Sequence, residues 1–183
     1  WQFYRMQPWP VRWFVRLRRR IAPFEWVLPH LPAQGALLEI GCGHGLLTNW
    51  LGQNRPACRI LGTDLNSKRI AIANQTLMGR KNIRFEAADG LKPSEEKYDC
   101  ILFFDLLHHL EAARHLLSLR QAALKLNPGG KIIVKEMFKT RGLSHFLGWL
   151  HDKIVTRGEK TCYRRAEEWI ALAAQAGLKL THF

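Results

Sequence analysis

The sequence predicts an α/β fold, a doubly wound, mostly parallel sheet flanked by helices, and three observations carry that reading. From Gln34 onward, short apolar runs alternate with longer helical patterns, as in successive βαβ units. The first of these runs ends in a turn with glycine at alternate positions, Gly41-Cys42-Gly43-His44-Gly45. A chain of 183 residues, 47% of them apolar, fits one ordinary α/β domain with a hydrophobic core.

In chain order, residues 1–33 form a basic, tryptophan-rich N-terminal extension broken by Pro8, Pro10, Pro23, Pro29 and Pro32. Within it Arg12, Arg16 and Arg19 recur at helical spacing on one side, while Trp9, Trp13 and Leu17 form an apolar stripe on another. Such a helix can lie in the headgroup layer of an anionic membrane, grip RNA phosphates by charge, or cover the pocket of its own domain with its arginines solvated. The remaining 34–183 form the main domain. Strands are expected at 36–40, 59–63, 83–86, 99–104, 130–135 and 178–183, and helices at 45–53, 67–79, 112–125 and 164–176. Asn66 or Ser67 can cap the second helix, Pro128-Gly129-Gly130 turns the chain into the fifth strand, and Gly177 stops the last helix. An insertion at about 136–163, rich in Lys, Arg, His and Trp, follows the fifth strand. Ligands gather at the carboxyl ends of strands in open α/β sheets, so this insertion is expected to cover a site.

Composition narrows the function classes. Twenty-eight Lys and Arg against 15 acids give a net charge of +13, which attracts nucleic acid, acidic membrane or anionic small molecules alike. Cys42, Cys58, Cys100 and Cys162 form no C-x-x-C pair and suit neither a zinc site nor a disulfide framework. A reducing compartment is expected, the cytoplasm, with peripheral contact at the inner face of the membrane left open. No apolar run reaches the roughly 18 residues of a membrane span. The first residue is Trp1 and the last, Phe183, sits in an apolar run, so the chain reads as part of a slightly longer product.

Leu37-Leu38-Glu39-Ile40 is a buried strand running directly into the glycine turn. Alternate glycines let the backbone turn tightly and pass against a ligand, and the helix that follows presents free N–H groups. A dinucleotide fold wants G-x-G-x-x-G, but Leu46 stands where the third glycine would be. The run Glu39-Ile40-Gly41-Cys42-Gly43-His44-Gly45 instead resembles the E/D-x-G-x-G-x-G motif of class I S-adenosylmethionine-dependent methyltransferases. Further segments agree in order: Asp64 in Leu61-Gly62-Thr63-Asp64-Leu65, Asp89 in Phe85-Glu86-Ala87-Ala88-Asp89-Gly90, the stretch from Tyr98 to Leu110, and the L-x-P-G-G turn at Leu126-Asn127-Pro128-Gly129-Gly130.

The resemblance covers about residues 36–136 and implies S-adenosyl-L-methionine as cofactor. Glu39, Gly41, Cys42, Gly43, Gly45, Asp64, Leu65, Asp89, Gly90 and Phe104 are its expected contacts. Asp64 would accept from the ribose hydroxyls and Asp89 from the adenine amino group; the alternatives are a helix cap and a turn-forming Asp-Gly. The family's sheet ends in an antiparallel seventh strand, and the sequence reaches Phe183 without one; either that strand belongs to residues beyond this stretch, the favoured expectation, or the sheet is short by one edge.

Transfer from a sulfonium needs positioning above all, worth roughly 7–11 kcal/mol, with a general base adding about 10²- to 10⁴-fold. No metal is required. Leu107-His108-His109 resembles the motif of small-molecule O-methyltransferases whose histidine is the base, which makes His108 the first candidate and His109 the second. Glu136, His145, Trp149, His151, Asp152 and Tyr163 are further candidates in and beside the insertion. Enzymes that methylate exocyclic nitrogen usually carry D/N-P-P-F/Y after the fourth strand, where this chain has Phe104-Asp105-Leu106-Leu107. The expected acceptor is therefore an oxygen on a small or lipid-like molecule. An RNA methyltransferase and a non-catalytic binding protein of the same fold are the alternatives, and nucleic acid is the less favoured partner.

Overall fold

The computed structural model describes residues 2–21, 24–136 and 161–183. Five strands form one sheet: β1 (Gly35–Ile40), β2 (Cys58–Asp64), β3 (Ile83–Ala87), β4 (Tyr98–Phe104) and β5 (Leu126–Lys135). Their order is β3-β2-β1-β4-β5, and every neighbouring pair is parallel. The helices are α1 (Trp9–Ile21), α2 (Leu46–Asn54), α3 (Ser67–Gln75), α4 (Ala112–Leu124) and α5 (Ala166–Gln175). From β1 the chain moves outward through β2 and β3, then crosses back to lay β4 against the other side of β1. The crevice between the carboxyl ends of β1 and β4 is therefore the topological switch point.

Both faces of the sheet are covered, which is why its strands read as nearly unbroken apolar runs. Leu37, Cys58, Ile60, Cys100, Leu102 and Phe104 meet Leu47, Trp50 and Leu51 of α2 together with Val15, Phe24, Val27 and Leu31 of the N-terminal extension. On the opposite face Leu38, Ile40, Ile101 and Phe103 meet Leu119 and Ala122 of α4 and Trp169 and Leu172 of α5. Extension and sheet thus share one core. No helix among the described residues is long and apolar enough to cross a membrane.

Element ends follow local chemistry. The Asn66 side chain caps α3, accepting from Lys68 N at 3.0 Å and Arg69 N at 3.2 Å. That helix ends at Gln75 rather than continuing to 79, because Met78 (φ 48°) and Gly79 (φ 77°) adopt left-handed backbone. The expected turn at Pro128-Gly129-Gly130 appears as a bulge inside β5: Tyr98 faces Leu126, but Cys100 already faces Lys131. Asp99 fixes both sides of this irregularity, accepting from Ala36 N at 2.7 Å and from Asn127 Nδ2 at 2.8 Å.

The strand expected at 178–183 does not form. Gly177 (φ 74°) ends α5 in a motif whose closing bond runs from Leu178 N to Ala173 O at 2.9 Å, so the backbone that should open a new ladder is already committed. Leu178 packs on the core, whereas Phe183 is 77% exposed.

Ile101 lies in the central layer with none of its surface exposed. Ile101→Ala is expected to lower stability by about 2–5 kcal/mol in denaturant titrations, whereas Leu124→Ala, at a position 74% exposed, should stay within about 0.5 kcal/mol.

Candidate active site

The turn after β1 is built from left-handed backbone, with φ of 77° at Gly41, 55° at Gly43 and 79° at Gly45. Gly41 N and Cys42 N both donate to Thr63 O, at 2.8 and 2.9 Å, tying the turn to the end of β2. A Cβ at Gly41 would stand 2.6 Å from Leu106 Cδ1 and one at Gly45 2.5 Å from Phe85 Cζ, whereas one at Gly43 would meet nothing within 4 Å. The outer glycines are pressed against protein and the middle one faces open space, a cradle that fits a ligand approaching the backbone. Cys42 is buried and its thiol is pushed up by that burial, so it stays protonated and packs.

Acids surround the turn. Asp64 ends β2, its Oδ2 accepting from Gly43 N at 2.9 Å and its Oδ1 from Asn66 N at 2.8 Å. It is therefore bound to the glycine turn itself, and the cap of α3 is Asn66. Asp64 pairs in register with Ala87, two residues before Asp89. Asp89 Oδ1 accepts from Leu91 N at 3.0 Å, so this carboxylate does shape a turn. Gly90 is pressed on Thr63, whose Oγ1 would lie 2.4 Å from an added Cβ. Leu65 is 79% exposed beside Asp64. The Phe104 ring instead sits in the core, stacked on Trp26 at 5.9 Å and edge-on to Phe24 at 5.5 Å, which leaves its backbone as the part nearest the crevice. Glu39 is buried and accepts from the Thr48 hydroxyl.

A second centre lies just past β4. His108 sits in a short 3-10 turn, Leu107–His109, with Nδ1 2.5 Å from Glu136 Oε2; the two side chains are 1% and 2% exposed. Glu136 Oε1 accepts from Leu106 N at 3.0 Å and Leu107 N at 2.6 Å, so one carboxylate holds both the turn and the imidazole it carries. Tyr163 stacks on the His108 ring at 5.3 Å and 18°, and the His109 ring lies 4.1 Å away. The other expected members of this group, His145, Trp149, His151 and Asp152, fall outside the described residues.

Sequence reasoning did not single out four residues that brace the site. Asp105 follows β4 with φ 51° and a side chain 3% exposed, held by Arg18 Nη2 and Lys135 Nζ at 2.5 Å each. The Tyr4 hydroxyl donates to His44 O at 2.8 Å, clamping the glycine turn from outside. An acid set directly after the buried run Ile101 to Phe104 was the available signal for Asp105. Helix α1 thus packs against the candidate site of its own domain. The apolar stripe is exposed at Trp9 and Trp13, while Val11, Phe14 and Val15 pack on the core, because α1 has apolar residues on both sides and periodicity does not say which faces in.

Comparison with known proteins agrees with this geometry. A family model described as a methyltransferase domain matches residues 12–183. The ubiquinone biosynthesis O-methyltransferase of Sinorhizobium medicae is 30% identical over 113 residues, 60% of this chain and 44% of that protein. Ribosomal RNA small subunit methyltransferase C of Pseudoalteromonas translucida is 38% identical over 71 residues, 38% of this chain and 20% of that one. The chain spans half or less of the length of these two relatives. Human N-acetylserotonin methyltransferase in complex with SAM is similar in fold, with a TM-score of 0.70 at 21% identity, over 91% of this chain and 47% of that one.

Glu39 makes the site pH-sensitive. Burial raises its carboxyl from the ordinary 4.5 to about 7, with the bond from Thr48 pulling the other way. Between those two values the folded state keeps a proton that the unfolded state has released, so stability falls as pH rises from about 4.5 to about 7. Glu39→Gln keeps a hydrogen-bond partner for Thr48 and should flatten that fall, gaining on the order of 1–3 kcal/mol over the parent above about pH 7. Thermal melts across this range test it, and parallel slopes for the two proteins would overturn it.

Proposed function

The chain belongs to the methyltransferase-domain family, and we propose that it transfers a methyl group from S-adenosylmethionine to an oxygen of a small-molecule or lipid-like acceptor. The observation that carries this reading is the His108–Glu136 pair just past β4, set at the same end of the sheet as the glycine cradle on neighbouring β1. When bound, the cofactor supplies a methyl group already activated on a sulfonium.

The chain's own residues do the rest. The backbone from Gly41 to Gly45 receives the cofactor, with Glu39 and Cys42 packed behind it. Asp64 accepts from the ribose hydroxyls with the lone pairs that Gly43 and Asn66 do not use, and Asp89, beside Gly90, accepts from the adenine amino group. Leu65 and the backbone of Phe104 complete the walls. Glu136 is a positioning residue: by binding Nδ1–H of His108 it fixes the tautomer whose Nε2 carries the lone pair, and it stabilises the imidazolium formed when that nitrogen takes the acceptor's proton. His109, whose ring lies tilted beside that of His108, is the second candidate base. The O-methyltransferase relative supports an oxygen acceptor.

Methyl transfer to RNA is the second reading, favoured by the ribosomal RNA relative and the net charge of +13. Against it, Asp105-Leu106-Leu107 stands where amino-methylating enzymes carry two prolines, and the Asp105 carboxylate is already taken by two cations.

Calorimetry with S-adenosylmethionine and its demethylated product should show binding that weakens in Asp64→Ala. With hydroxylated ring compounds as acceptors, His108→Ala should lose about 10²- to 10⁴-fold in turnover while keeping cofactor affinity, and Glu136→Gln should lose less and shift the pH profile. Full turnover in both His108→Ala and His109→Ala would sink the base assignment. Binding without turnover on any acceptor would favour a non-catalytic role, and no binding of either compound would overturn the whole reading.

A further inference from the structure

Helix α1 has two opposed faces. Inward, Phe14 packs edge-on to His44 at 5.4 Å, Val15 is buried and Arg18 reaches Asp105. Outward, Trp9 and Trp13 are 75% and 57% exposed, and Met6, in the turn before the helix, is 93% exposed. Trp9, Trp13, Arg16 and Arg20 follow one another at steps of four, three and four residues, and so lie in one row along the helix. Two adjoining indoles and a thioether held in water are more than scattered surface residues; a patch of this kind marks a docking face.

Beside this row is a cavity of about 360 Å³ lined by Gln2, Tyr4, Arg5, Arg12, Val15 and Arg16. Three of its six lining residues are arginines and none is an acid. Such a lining selects an anion, and arginine forks match phosphate oxygens.

We propose that this face docks on an anionic phospholipid surface. The cavity takes a headgroup phosphate, while Met6, Trp9 and Trp13 enter the boundary between headgroups and acyl chains. Cations at the level of the phosphates with indoles just below them is the arrangement that amphipathic interfacial helices use, and each cation near such a surface adds to the attraction. RNA fits the face less well. A strand needs cations strung along its track and flat rings for its bases. Trp9 and Trp13 offer such rings, but three arginines line one cavity instead of a track, and Met6, the most exposed apolar group, has no flat face. The cavity also shares a wall with the glycine turn: Tyr4, which lines it, holds His44 O at 2.8 Å. The proposal goes beyond the methyl-transfer reading and does not depend on it.

Flotation of the full chain with phosphatidylcholine vesicles, with and without phosphatidylglycerol, tests it independently of any turnover. Binding to the anionic vesicles should be at least about tenfold stronger, and should drop about tenfold or more in Arg12→Glu/Arg16→Glu and in Trp9→Ala/Trp13→Ala. Brominated acyl chains should quench tryptophan fluorescence in the parent more than in Trp9→Ala/Trp13→Ala. These side chains stand outside the core, so melting curves should match the parent. If a double variant fails that check, Met6→Asp should weaken binding instead. Equal binding to neutral and anionic vesicles, release by soluble glycerol phosphate, or retention of an RNA oligonucleotide without vesicle binding would each overturn the proposal.

Discussion

Strand β1 is hydrogen-bonded on both sides, to β2 from Gly35 to Ile40 and to β4 from Leu37 to Ile40. A chain leaving such a strand at Gly41 has protein on either flank and has to turn at once. Leu106 presses on it from one side, and Phe85 limits it before α2 can begin. Left-handed backbone at three alternate positions meets this confinement, and only glycine adopts it without strain. The cradle is thus a consequence of where β1 lies in the sheet, and the same placement brings the ends of β2, β4 and β5 around it.

Glu39, Asp64, Asp105 and Glu136 gather at this end of a chain with a net charge of +13, and each is accommodated differently. Glu39 rests on a hydroxyl and is pushed toward its neutral form by burial. Asp64 binds backbone N–H groups, Asp105 binds two cations, and Glu136 binds two backbone N–H groups and an imidazole. A buried carboxylate is tolerable only with such partners. Asp105 has a further effect, because its bond to Arg18 ties the basic extension to the mouth of the crevice. Charge that reads as a uniform excess along the sequence is locally balanced at this point.

The parts of the fold that were legible in the sequence were those set by neighbours along the chain. The Asn66 cap and the Gly177 stop depend on bonds within a few residues, and the glycine spacing and the apolar strands are patterns visible along the chain. What could not be read depends on distant pairings: Arg18 and Asp105 are 87 positions apart, and Tyr4 and His44 are 40. The buried face of α1 was not legible for the same reason, since helical spacing separates two faces without saying which one meets the sheet. The segment 178–183 looked like a strand by its apolar run, but strand formation needs a free ladder partner, and the closing bond of α5 had already used the first N–H. In the candidate site, the places of Asp64 at the end of β2 and of His108 just past β4 were legible from the strand pattern. The grip of Glu136 on His108 was not visible, because it requires β4 and β5 to be adjacent.

That grip has a consequence for timing. Glu136 directs one oxygen to the turn and the other to the ring, so the orientation of the imidazole and the path of the backbone beneath it are established together when β5 joins the sheet. The loss of side-chain freedom at His108 is therefore incurred during folding. If His108 is the proposed base, an acceptor would meet a ring already oriented, and the reorganisation left for the encounter would be its own.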